Sequence, residues 1–380
     1  MHICFVVEGY PTNEDPFMPF IRNTVSEIAK QGIKCSVIAP QSISRAIAHH
    51  LPIRKTKWID HVNNNISIDI YQPYYMTLSG KCGKLNRKLF EYAAKSAYVH
   101  IAQNVDVMYG HFWHMGVVAS KLDNSKPIIV ACGESKISVV NNYSQVEIKV
   151  LQEKLAGVIY VSTKSYTESC NLKLQQKNPY IVLPNAIDDS CFNKKNRTSI
   201  RTKLGWDQSK FVVCFVGAFV DRKGVLRLDE ALQKLNNQDI YACFIGSGEQ
   251  NPKYSRIYFK GKLPHEAIVE YLSASDVFVL PTTNEGCCNA IVEALACGLP
   301  IISSKDSFND DILNQNNSIR IDSLNVDEIS NAINELFFDR GKCNDLSRGS
   351  IKRVEKLTLA NRAKDIIEFI KENVCDGIKV

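Results

Sequence analysis

The sequence predicts an α/β protein made of two doubly wound, parallel-sheet domains. Short apolar runs alternate with amphipathic helical stretches, beginning with a strand over residues 2–7, a helix over 17–31 and a strand over 34–39. A chain of 380 residues is longer than a single hydrophobic core usually supports. The polar stretch 189–209 is typical of a linker. We therefore expect two Rossmann-like domains that face a central cleft.

The first domain is predicted over residues 1–188, and the loops after its strands carry the candidate residues. Further strands are expected at 66–71, 105–109, 127–131, 157–162 and 180–183, and helices at 85–102 and 117–122. Gly9 follows the first strand, in a loop without the Gly-x-Gly-x-x-Gly spacing of a dinucleotide site. His111 and His114 follow the strand at 105–109, but a spacing of three without a third ligand is a weak metal signal. We expect His111 to line the cleft at the end of its strand.

The second domain is predicted over residues 189–355, with glycine-containing turns after its strands. Strands are expected at 211–216, 241–245, 257–260 and 277–281, and helices after the first of these to about 235, at 265–273 and at 290–297. Gly217 ends the first strand, and Gly246 and Gly248 follow the second. Residues 356–372 form a long terminal helix in this prediction.

The stretch 283–300 is the strongest candidate site. Glu285 and Gly286 follow a strand that Pro281 ends, and Gly298 and Pro300 end the helix at 290–297. The loop thus lies at the carboxyl end of a parallel strand, where its backbone amides and the helix start can bind an anion. The small side chains of Cys287 and Cys288 allow a phosphate to approach the backbone.

Two carboxylates flank this helix start. Glu293 lies eight residues after Glu285, and Asn289 lies on the same helix face as Glu293. Carboxylates accept hydrogen bonds from sugar hydroxyls, so one acid could bind a ribose and the other a hexose. The alternative is a solvated helix with two incidental acids, but the order of strand, proline, Glu-Gly, helix and Gly-x-Pro favours a nucleotide-sugar site.

This motif resembles the donor-site signature of family 4 of the retaining glycosyltransferases, which have the GT-B fold. The resemblance implies that Glu285 contacts the transferred sugar and that Glu293 holds the nucleotide ribose. It also implies that Lys223 clamps the donor diphosphate. Ala218 stands where the family often has arginine, so we expect the neighbouring Arg222 to compensate.

The resemblance extends to the first domain and its connection to the second. At position 133 the family usually has a histidine beside the donor sugar, and Gly133 departs from that pattern. Glu134 is the nearest substitute, with capping of the following helix as the alternative role. Gly9 and Asn185, the latter in a turn that matches the family's domain-crossing segment, are expected on the acceptor side. In the GT-B fold the terminal segment, here 356–380, returns to the first domain.

Composition indicates an ordinary globular protein of the cytoplasm. The 13 cysteines are scattered, without a Cys-x-x-Cys pair, and many lie in apolar runs, as expected for reduced, buried thiols. No stretch is long enough to span a membrane, and Glu8 interrupts the first apolar run before a signal-peptide core forms. The absence of Asp-x-Asp predicts no metal site, and we expect no cofactor and no nucleic-acid partner.

Positive charge is concentrated in the first half of the chain. Residues 1–190 carry 20 Lys+Arg and 15 Asp+Glu, so +5 of the net charge of +6 lies there. Clusters at 54–57 and at 81–88 are candidates for contact with an anionic membrane, with a solvated surface as the alternative.

We expect a retaining, metal-independent glycosyltransferase that moves a sugar from a nucleotide diphosphate sugar to a glycan or lipid-linked acceptor, a surface polysaccharide intermediate. The protein would act in the cytoplasm, peripherally on the inner face of the cell membrane. The alternatives are a nucleotide-sugar epimerase of the same architecture and a binding or scaffold protein with a decayed site.

Overall fold

The computed structural model of the protein describes residues 1–12, 15, 17–78 and 82–374. Asn13, Glu14 and Pro16 of the first predicted loop, Lys81 of the second basic cluster and residues 375–380 of the predicted terminal segment lie outside the described residues. The chain divides into two compact units. Unit 1 comprises Met1–Val161, Ser165–Leu183 and the described residues from Leu359 onward, and unit 2 comprises Ser162–Lys164 and Pro184–Thr358.

Unit 1 contains an eight-stranded sheet with one antiparallel strand. Its strand order is β10-β9-β8-β7-β1-β2-β5-β4, and the separate pair β3 and β6 is parallel. The strands are β1 His2–Val6, β2 Lys34–Ile38, β3 Gln41–Ser42, β4 Lys57–Asn63, β5 Ile66–Tyr71, β6 Tyr74–Tyr75, β7 Val107–His111, β8 Ile128–Cys132, β9 Leu155–Tyr160 and β10 Tyr180–Val182.

Helices cover both faces of this sheet. They are α1 Pro19–Lys30, α2 Ile43–Ala48, α3 Gly83–Tyr98, α4 Trp113–Leu122, α5 Val139–Asn142, α6 Gln145–Lys154 and α7 Thr163–Asn171. Because successive strand side chains point to opposite faces, Cys4 and Val6 pack in one core cluster and Ile3 and Phe5 in another. Burial on both faces explains why the strands are continuous apolar runs rather than alternating ones.

Unit 2 contains a six-stranded sheet that is parallel throughout. Its strand order is β13-β12-β11-β14-β15-β16. The strands are β11 Phe211–Val216, β12 Ile240–Ile245, β13 Ile257–Gly261, β14 Val277–Leu280, β15 Ile301–Ser304 and β16 Ser318–Ile321. The helices are α8 Arg197–Leu204, α9 Val225–Leu235, α10 His265–Ala274, α11 Asn289–Ala296, α12 Val326–Phe338 and α13 Arg340–Val354.

The terminal helix α14, Leu359–Val374, belongs to unit 1. Its apolar face, which includes Ile366 and Ile370, is buried in the same core cluster as Ile3 and Phe5. The amide of Gln31, directly after α1, donates a hydrogen bond to the backbone oxygen of Ala360 at 2.9 Å. The sequence placed the segment from 356 onward with the first domain and the boundary between domains at 188, and the structure divides the chain after Leu183 and after Thr358.

The prediction of two α/β parallel-sheet domains is confirmed, with two local corrections. First, β4 runs antiparallel to β5, so one edge of the unit 1 sheet is a hairpin that the pattern of 41–80 did not predict. Second, the predicted linker 189–209 contains α8. Asn196 caps its start by accepting a hydrogen bond from the backbone amide of Ser199, and Gly205 ends it in the left-handed conformation, with φ of 70°.

A buried ion pair fixes α8 in unit 2. The side chain of Arg201 is fully buried, and its NH2 donates to Asp276 at 2.7 Å while its Nε donates to the backbone oxygen of Ala274 at 2.7 Å. Asp276 also accepts from the backbone amide of Val212 at 2.7 Å. The polar composition of 189–209 therefore reflects a helix held by a buried guanidinium rather than an unstructured connection.

No helix in the described part of the chain is long and apolar enough to cross a membrane. Twelve described cysteines are free thiols, and eight of them are buried, among them Cys4, Cys214 and Cys243 in the sheets.

Candidate functional site

The strand order of unit 2 brings two loops together at the carboxyl end of its sheet. From β11 the chain proceeds outward to β12 and β13 on one side, and it continues through β14, β15 and β16 on the other side. The loops after β11 and β14 therefore leave the sheet next to each other, at the point where α/β sheets bind their ligands. The first loop contains a short 3-10 helix, Asp221–Lys223, and the second contains Glu285.

Glu285 holds both cations of the first loop. Its Oε1 lies 2.5 Å from Nζ of Lys223 and 2.9 Å from NH1 of Arg222, and it accepts a hydrogen bond from Oγ1 of Thr282 at 2.9 Å. The carboxylate is 7% exposed, so these contacts replace water. Arg222 also donates from NH1 to the backbone oxygen of Asn284 at 2.5 Å. The structure thus brings Glu285 together with Lys223 and Arg222, which precede it by more than 60 residues in the sequence.

The start of α11 adds backbone donors beside this cluster. The residue before the helix, Cys288, makes no side-chain capping hydrogen bond, so the first backbone amides of α11 lack a side-chain cap. The Cys288 thiol lies 3.9 Å from Nζ of Lys223, and burial raises its pKa. Uncapped amides, the positive end of the helix and Lys223 form an arrangement suited to an anion.

Asn185 lies at this helix start. Its side-chain amide donates to the backbone oxygen of Cys287 at 3.0 Å and to Oδ1 of Asn289 at 2.7 Å. Its backbone amide donates to the thiol of Cys287 at 3.3 Å. Asn185, which was predicted on the acceptor side, therefore stabilises the loop that contains the buried Gly286.

Glu293 is paired with a histidine that the sequence did not single out. Its Oε1 lies 2.9 Å from Nε2 of His265, the first residue of α10, and Glu293 is 7% exposed. The hydrogen bond with Glu293 raises the pKa of His265, which outweighs the opposing effect of burial. The His265 ring also packs against Phe192, with 4.9 Å between ring centroids. In this structure His265 occupies the carboxylate that the resemblance assigns to a ribose.

Two glycines allow the loop after β12 to approach the loop after β11. At Gly246, with φ of 147°, a Cβ would lie 1.9 Å from the backbone oxygen of Gly217. At Gly248 it would lie 2.3 Å from the backbone oxygen of Phe219. Any side chain at either position would therefore push the two loops apart. Gly217, by contrast, has ordinary space for a Cβ, with Cδ of Lys223 3.6 Å away.

In unit 1, His111 lies at the end of β7 and is 8% exposed. Its ring packs 4.7 Å from that of Phe112 and 5.3 Å from that of Phe20. Burial lowers the pKa of His111 to about 3, and the positive charges of Arg362 and His114 act in the same direction. His111 is therefore neutral near pH 7 and can act only through a neutral imidazole.

Glu134 caps the helix that precedes it in the chain. Its Oε1 accepts a hydrogen bond at 2.7 Å from the backbone amide of Trp113, the first residue of α4. The sequence offered capping of the following helix as the alternative role, and the structure places the cap on α4 instead. Burial raises the pKa of Glu134, and its Oε2 has no hydrogen-bond partner among the described residues. Phe112, between β7 and α4, has φ of 81°, which is strained for a non-glycine residue.

The strand order of unit 1 also reverses, at β1. The neighbours of β1 are β2 and β7, so the loop with Glu8 and Gly9 lies beside the start of α4. There, Oε1 of Glu8 lies 2.5 Å from Nε2 of His114. Burial alone would raise the pKa of Glu8, but the hydrogen bond and charge of His114, with a smaller effect of Arg45, lower it. A Cβ at Gly9 would lie 2.9 Å from the ring of Phe17.

Sequence reasoning missed His265, Thr282 and the Glu8–His114 pair. Each lies just after a strand, so the rule that parallel strands present their carboxyl ends at one edge was the available signal. Sequence spacing alone could not have joined them to their partners. Among the described residues there is no group of three His, Cys, Asp or Glu side chains arranged to hold a metal ion.

Comparison with known proteins agrees with this geometry. Residues 196–353, within unit 2, match the family model of glycosyl transferases group 1. The chain is 27% identical over 317 residues to a Bacillus subtilis protein named as a teichuronic acid biosynthesis glycosyltransferase, TuaC, and the match covers 80% of each chain. These two findings support a glycosyltransferase of group 1.

Solved structures show the fold. A sucrose-phosphate synthase from Thermosynechococcus elongatus matches with a TM-score of 0.77 at 15% identity, covering 98% of both chains. Anabaena Alr3699/HepE, solved in complex with UDP-glucose, matches with a TM-score of 0.70 at 18% identity, covering 98% of this chain and all of that one. The chain has the GT-B fold. The predicted fold class is thus confirmed.

Proposed function

We propose that this protein is a retaining glycosyltransferase that moves a sugar from a nucleoside diphosphate sugar to a lipid-linked intermediate of a surface polysaccharide. The observation that carries the proposal is the contact of Glu285 with Lys223 and Arg222 beside the uncapped start of α11. A carboxylate for hydroxyls, two cations and backbone amides are the groups that a sugar diphosphate requires. The name of TuaC supports a polysaccharide product, and the UDP-glucose complex of the Anabaena protein supports the donor class.

In this proposal, unit 2 binds the donor and unit 1 binds the acceptor. Lys223 and Arg222 leave Glu285 in part to contact the diphosphate, and the α11 amides contact its other oxygens. Glu285 accepts hydrogen bonds from the transferred sugar, and Glu293 releases His265 to bind the ribose. Gly246 and Gly248 keep the loop after β12 close to the loop that begins at Gly217, so that the two loops can enclose the nucleotide.

The same cluster suggests how the reaction proceeds. Glu285 already forms ion pairs with Lys223 and Arg222 and accepts a hydrogen bond from Thr282, so it is suited to orient the sugar rather than to attack it as a free nucleophile. Retention then requires the leaving diphosphate to stay beside the incoming hydroxyl on one face of the sugar. Lys223 stabilises the charge that develops on that diphosphate, with Arg222 in the role of the arginine that Ala218 replaces, and this supports a metal-independent reaction.

Two other functions make different predictions for the same site. A nucleotide-sugar epimerase would convert its substrate without an acceptor, whereas a scaffold protein with a decayed site would bind no donor. A decayed site would gain nothing from the Glu285 contacts, because a buried carboxylate costs desolvation free energy when no ligand uses it. Incubation of nucleotide sugars without acceptor separates the first alternative.

A thermal-shift screen tests the donor proposal. Uridine and guanosine diphosphate sugars are each added to the full chain, and a ligand at 100 times its dissociation constant should stabilise the folded state by about 2.7 kcal/mol. The matching nucleotide should raise the midpoint and its free sugar should not. No shift with any nucleotide sugar would contradict the proposal.

We further propose that the protein acts in the cytoplasm, peripherally on the inner face of the membrane. The support is the basic excess of residues 1–190 and the exposed side chains of Lys84 and Lys88 on α3. Sedimentation with anionic vesicles should recover the protein in the pellet at low salt and in the supernatant at high salt. Equal recovery in the supernatant at both salt concentrations would refute membrane attachment.

A further inference from the structure

We propose that a cavity in unit 1 binds the phosphate group of a lipid-linked acceptor, with Arg45 and Arg87 as its anion clamp. The inference rests on the proposed function and names the chemical class of its acceptor. The cavity has a volume of about 440 Å³, which is in the range of small-molecule sites, roughly 300–1,000 Å³. It lies at the point where the strand order of unit 1 reverses, and Glu8 and His114 are part of its wall.

The two guanidinium groups are held in place by aromatic rings rather than by carboxylates. Cζ of Arg45 lies 4.6 Å from the ring centroid of Phe17, and Cζ of Arg87 lies 5.2 Å from that of Tyr143. Neither arginine forms an ion pair with a carboxylate in the described part of the chain. Stacking on an aromatic ring orients a guanidinium while its N–H groups stay available. Both arginines line the same cavity, so two oriented positive charges face one ligand.

One carboxylate, Glu8, lines the cavity with the two guanidinium groups, so the positive charge of the arginines exceeds the negative charge of the lining. Glu8 is hydrogen-bonded to His114 at 2.5 Å. A carboxylate and an imidazole side by side can bind the hydroxyls of an acceptor sugar. We therefore assign the sugar end of the acceptor to Glu8 and His114 and its phosphate end to the arginines.

Exposed aliphatic side chains lie next to residues that line the cavity. Asn86 lines the cavity, and its side chain forms two hydrogen bonds with the backbone of Leu78, at 2.8 and 3.2 Å. Leu78 and Leu85, which precedes Asn86 in the chain, are each 45% exposed, and Met76, which follows the cavity-lining Tyr75, is 59% exposed. Exposed aliphatic side chains adjacent to cavity-lining residues suit a ligand with a hydrocarbon chain next to its phosphate.

The outer face of α3 continues this surface. Leu85, Lys88, Tyr92 and Lys95 recur at spacings of three and four, so they lie on one side of the helix. Tyr92 is 78% exposed, and both lysines are exposed. Alternating apolar and basic side chains on one exposed helix face are suited to the interface of an anionic membrane. A lipid-linked acceptor would then reach the cavity from the membrane surface.

Arginine modification tests the assignment in the unmodified full chain. Phenylglyoxal reacts with accessible arginines, and mass spectrometry follows each site separately. Geranyl diphosphate is the probe, geraniol is its uncharged counterpart, and glucuronate supplies a carboxylate without a lipid. Arg348, whose side chain is 74% exposed on unit 2, is the control site. Geranyl diphosphate should slow the modification of Arg45 and Arg87 about tenfold at ten times its dissociation constant, and Arg348 should react at an unchanged rate.

Three results would overturn the assignment: unchanged rates at Arg45 and Arg87 with geranyl diphosphate, equal protection by geraniol, or protection by glucuronate but not by geranyl diphosphate. The donor proposal is tested separately, because UDP or GDP should protect Arg222 from phenylglyoxal and neither should protect Arg45 or Arg87. As a second measurement, calorimetry with the donor site saturated by nucleotide should show that Arg45→Ala and Arg87→Ala each weaken geranyl diphosphate binding about tenfold or more, and that Arg348→Ala does not. Equal affinities for all these variants would contradict the clamp.

Discussion

Replacement of Glu293 by glutamine tests the contact that the proposal assigns to the ribose. The carboxylate is 7% exposed and its Oε1 is hydrogen-bonded to His265 at 2.9 Å. Glutamine has nearly the same size and shape, so the packing of α11 should not change. What the substitution removes is the negative charge that would accept hydrogen bonds from the ribose hydroxyls.

The loss of nucleotide affinity in Glu293→Gln depends on two competing hydrogen bonds. A hydrogen bond to a charged group contributes about 1.5–3 kcal/mol when its partner is lost. The nucleotide must first displace His265 from Glu293, so part of that free energy is spent on breaking the existing pair. We therefore expect a loss of binding free energy at the lower end of this range, about 1.5 kcal/mol, which corresponds to about tenfold weaker binding of the nucleotide. For the same reason His265→Ala should bind the nucleotide more tightly than the natural sequence, and the double variant should show non-additive effects.

Isothermal titration calorimetry with bare UDP and GDP measures the effect without any acceptor. The control is Glu335→Gln, an exposed glutamate of α12 that is paired with Lys342. Glu335→Gln should leave the dissociation constant unchanged. If Glu293→Gln also bound the nucleotide with unchanged affinity, Glu293 would not be part of the nucleotide site, and the reasoning from its position would be wrong.

The other predictions concern the remaining parts of unit 2. Lys223→Ala should lower turnover by about two to three orders of magnitude, because it removes a cation aimed at the leaving diphosphate. The unmodified protein should keep full activity in excess chelator. Loss of that activity in chelator, with rescue by magnesium, would contradict this mechanism. Nucleotide affinity should rise as the pH increases through the raised pKa of His265, which lies above the ordinary value of 6.5. The stabilisation from the His265–Glu293 pair is complete below pH 6.5 and is lost above the raised pKa, so the nucleotide then no longer competes with the histidine. A flat pH profile of affinity, or the same profile in His265→Ala, would exclude this competition. Arg201→Ala should lower the free energy of unfolding by about 3 kcal/mol in denaturant titration, the lower end for a broken buried pair, because Arg197 still contacts Asp276; a loss below about 1 kcal/mol would mean that the pair does not hold α8.

The sequence pattern indicated the two loops of the candidate site because each loop follows a strongly apolar strand. β11 and β14 are continuous buried runs, and glycine or proline marks the end of each. Once both strands belong to one parallel sheet, Lys223 and Glu285 must leave it at the same edge. Their contact at 2.5 Å is thus a consequence of strand order, which a periodic pattern can suggest and only the structure can establish.

Other features depended on partners that are distant in the sequence. α8 has a polar sequence because most of its residues are exposed, and its one buried residue, Arg201, is stabilised by Asp276 across unit 2, which no local pattern reveals. The pairing of His265 with Glu293 and the capping of α4 by Glu134 likewise join side chains from different strand–helix units. The β4–β5 hairpin was missed because the hydropathy of β4 does not follow its burial: Ile59 is exposed and Asp60 is buried.

The configuration of a transferred sugar tests the central claim most directly. Full chain is incubated with an α-linked nucleotide sugar from the thermal-shift screen, and methanol serves as a small acceptor because the resulting methyl glycoside does not mutarotate. Proton NMR then identifies the product. A retaining glycosyltransferase gives the methyl α-glycoside and the nucleoside diphosphate, in the presence of chelator as well. Formation of the methyl β-glycoside would contradict retention, and conversion of the donor to its epimer without transfer would contradict a glycosyltransferase.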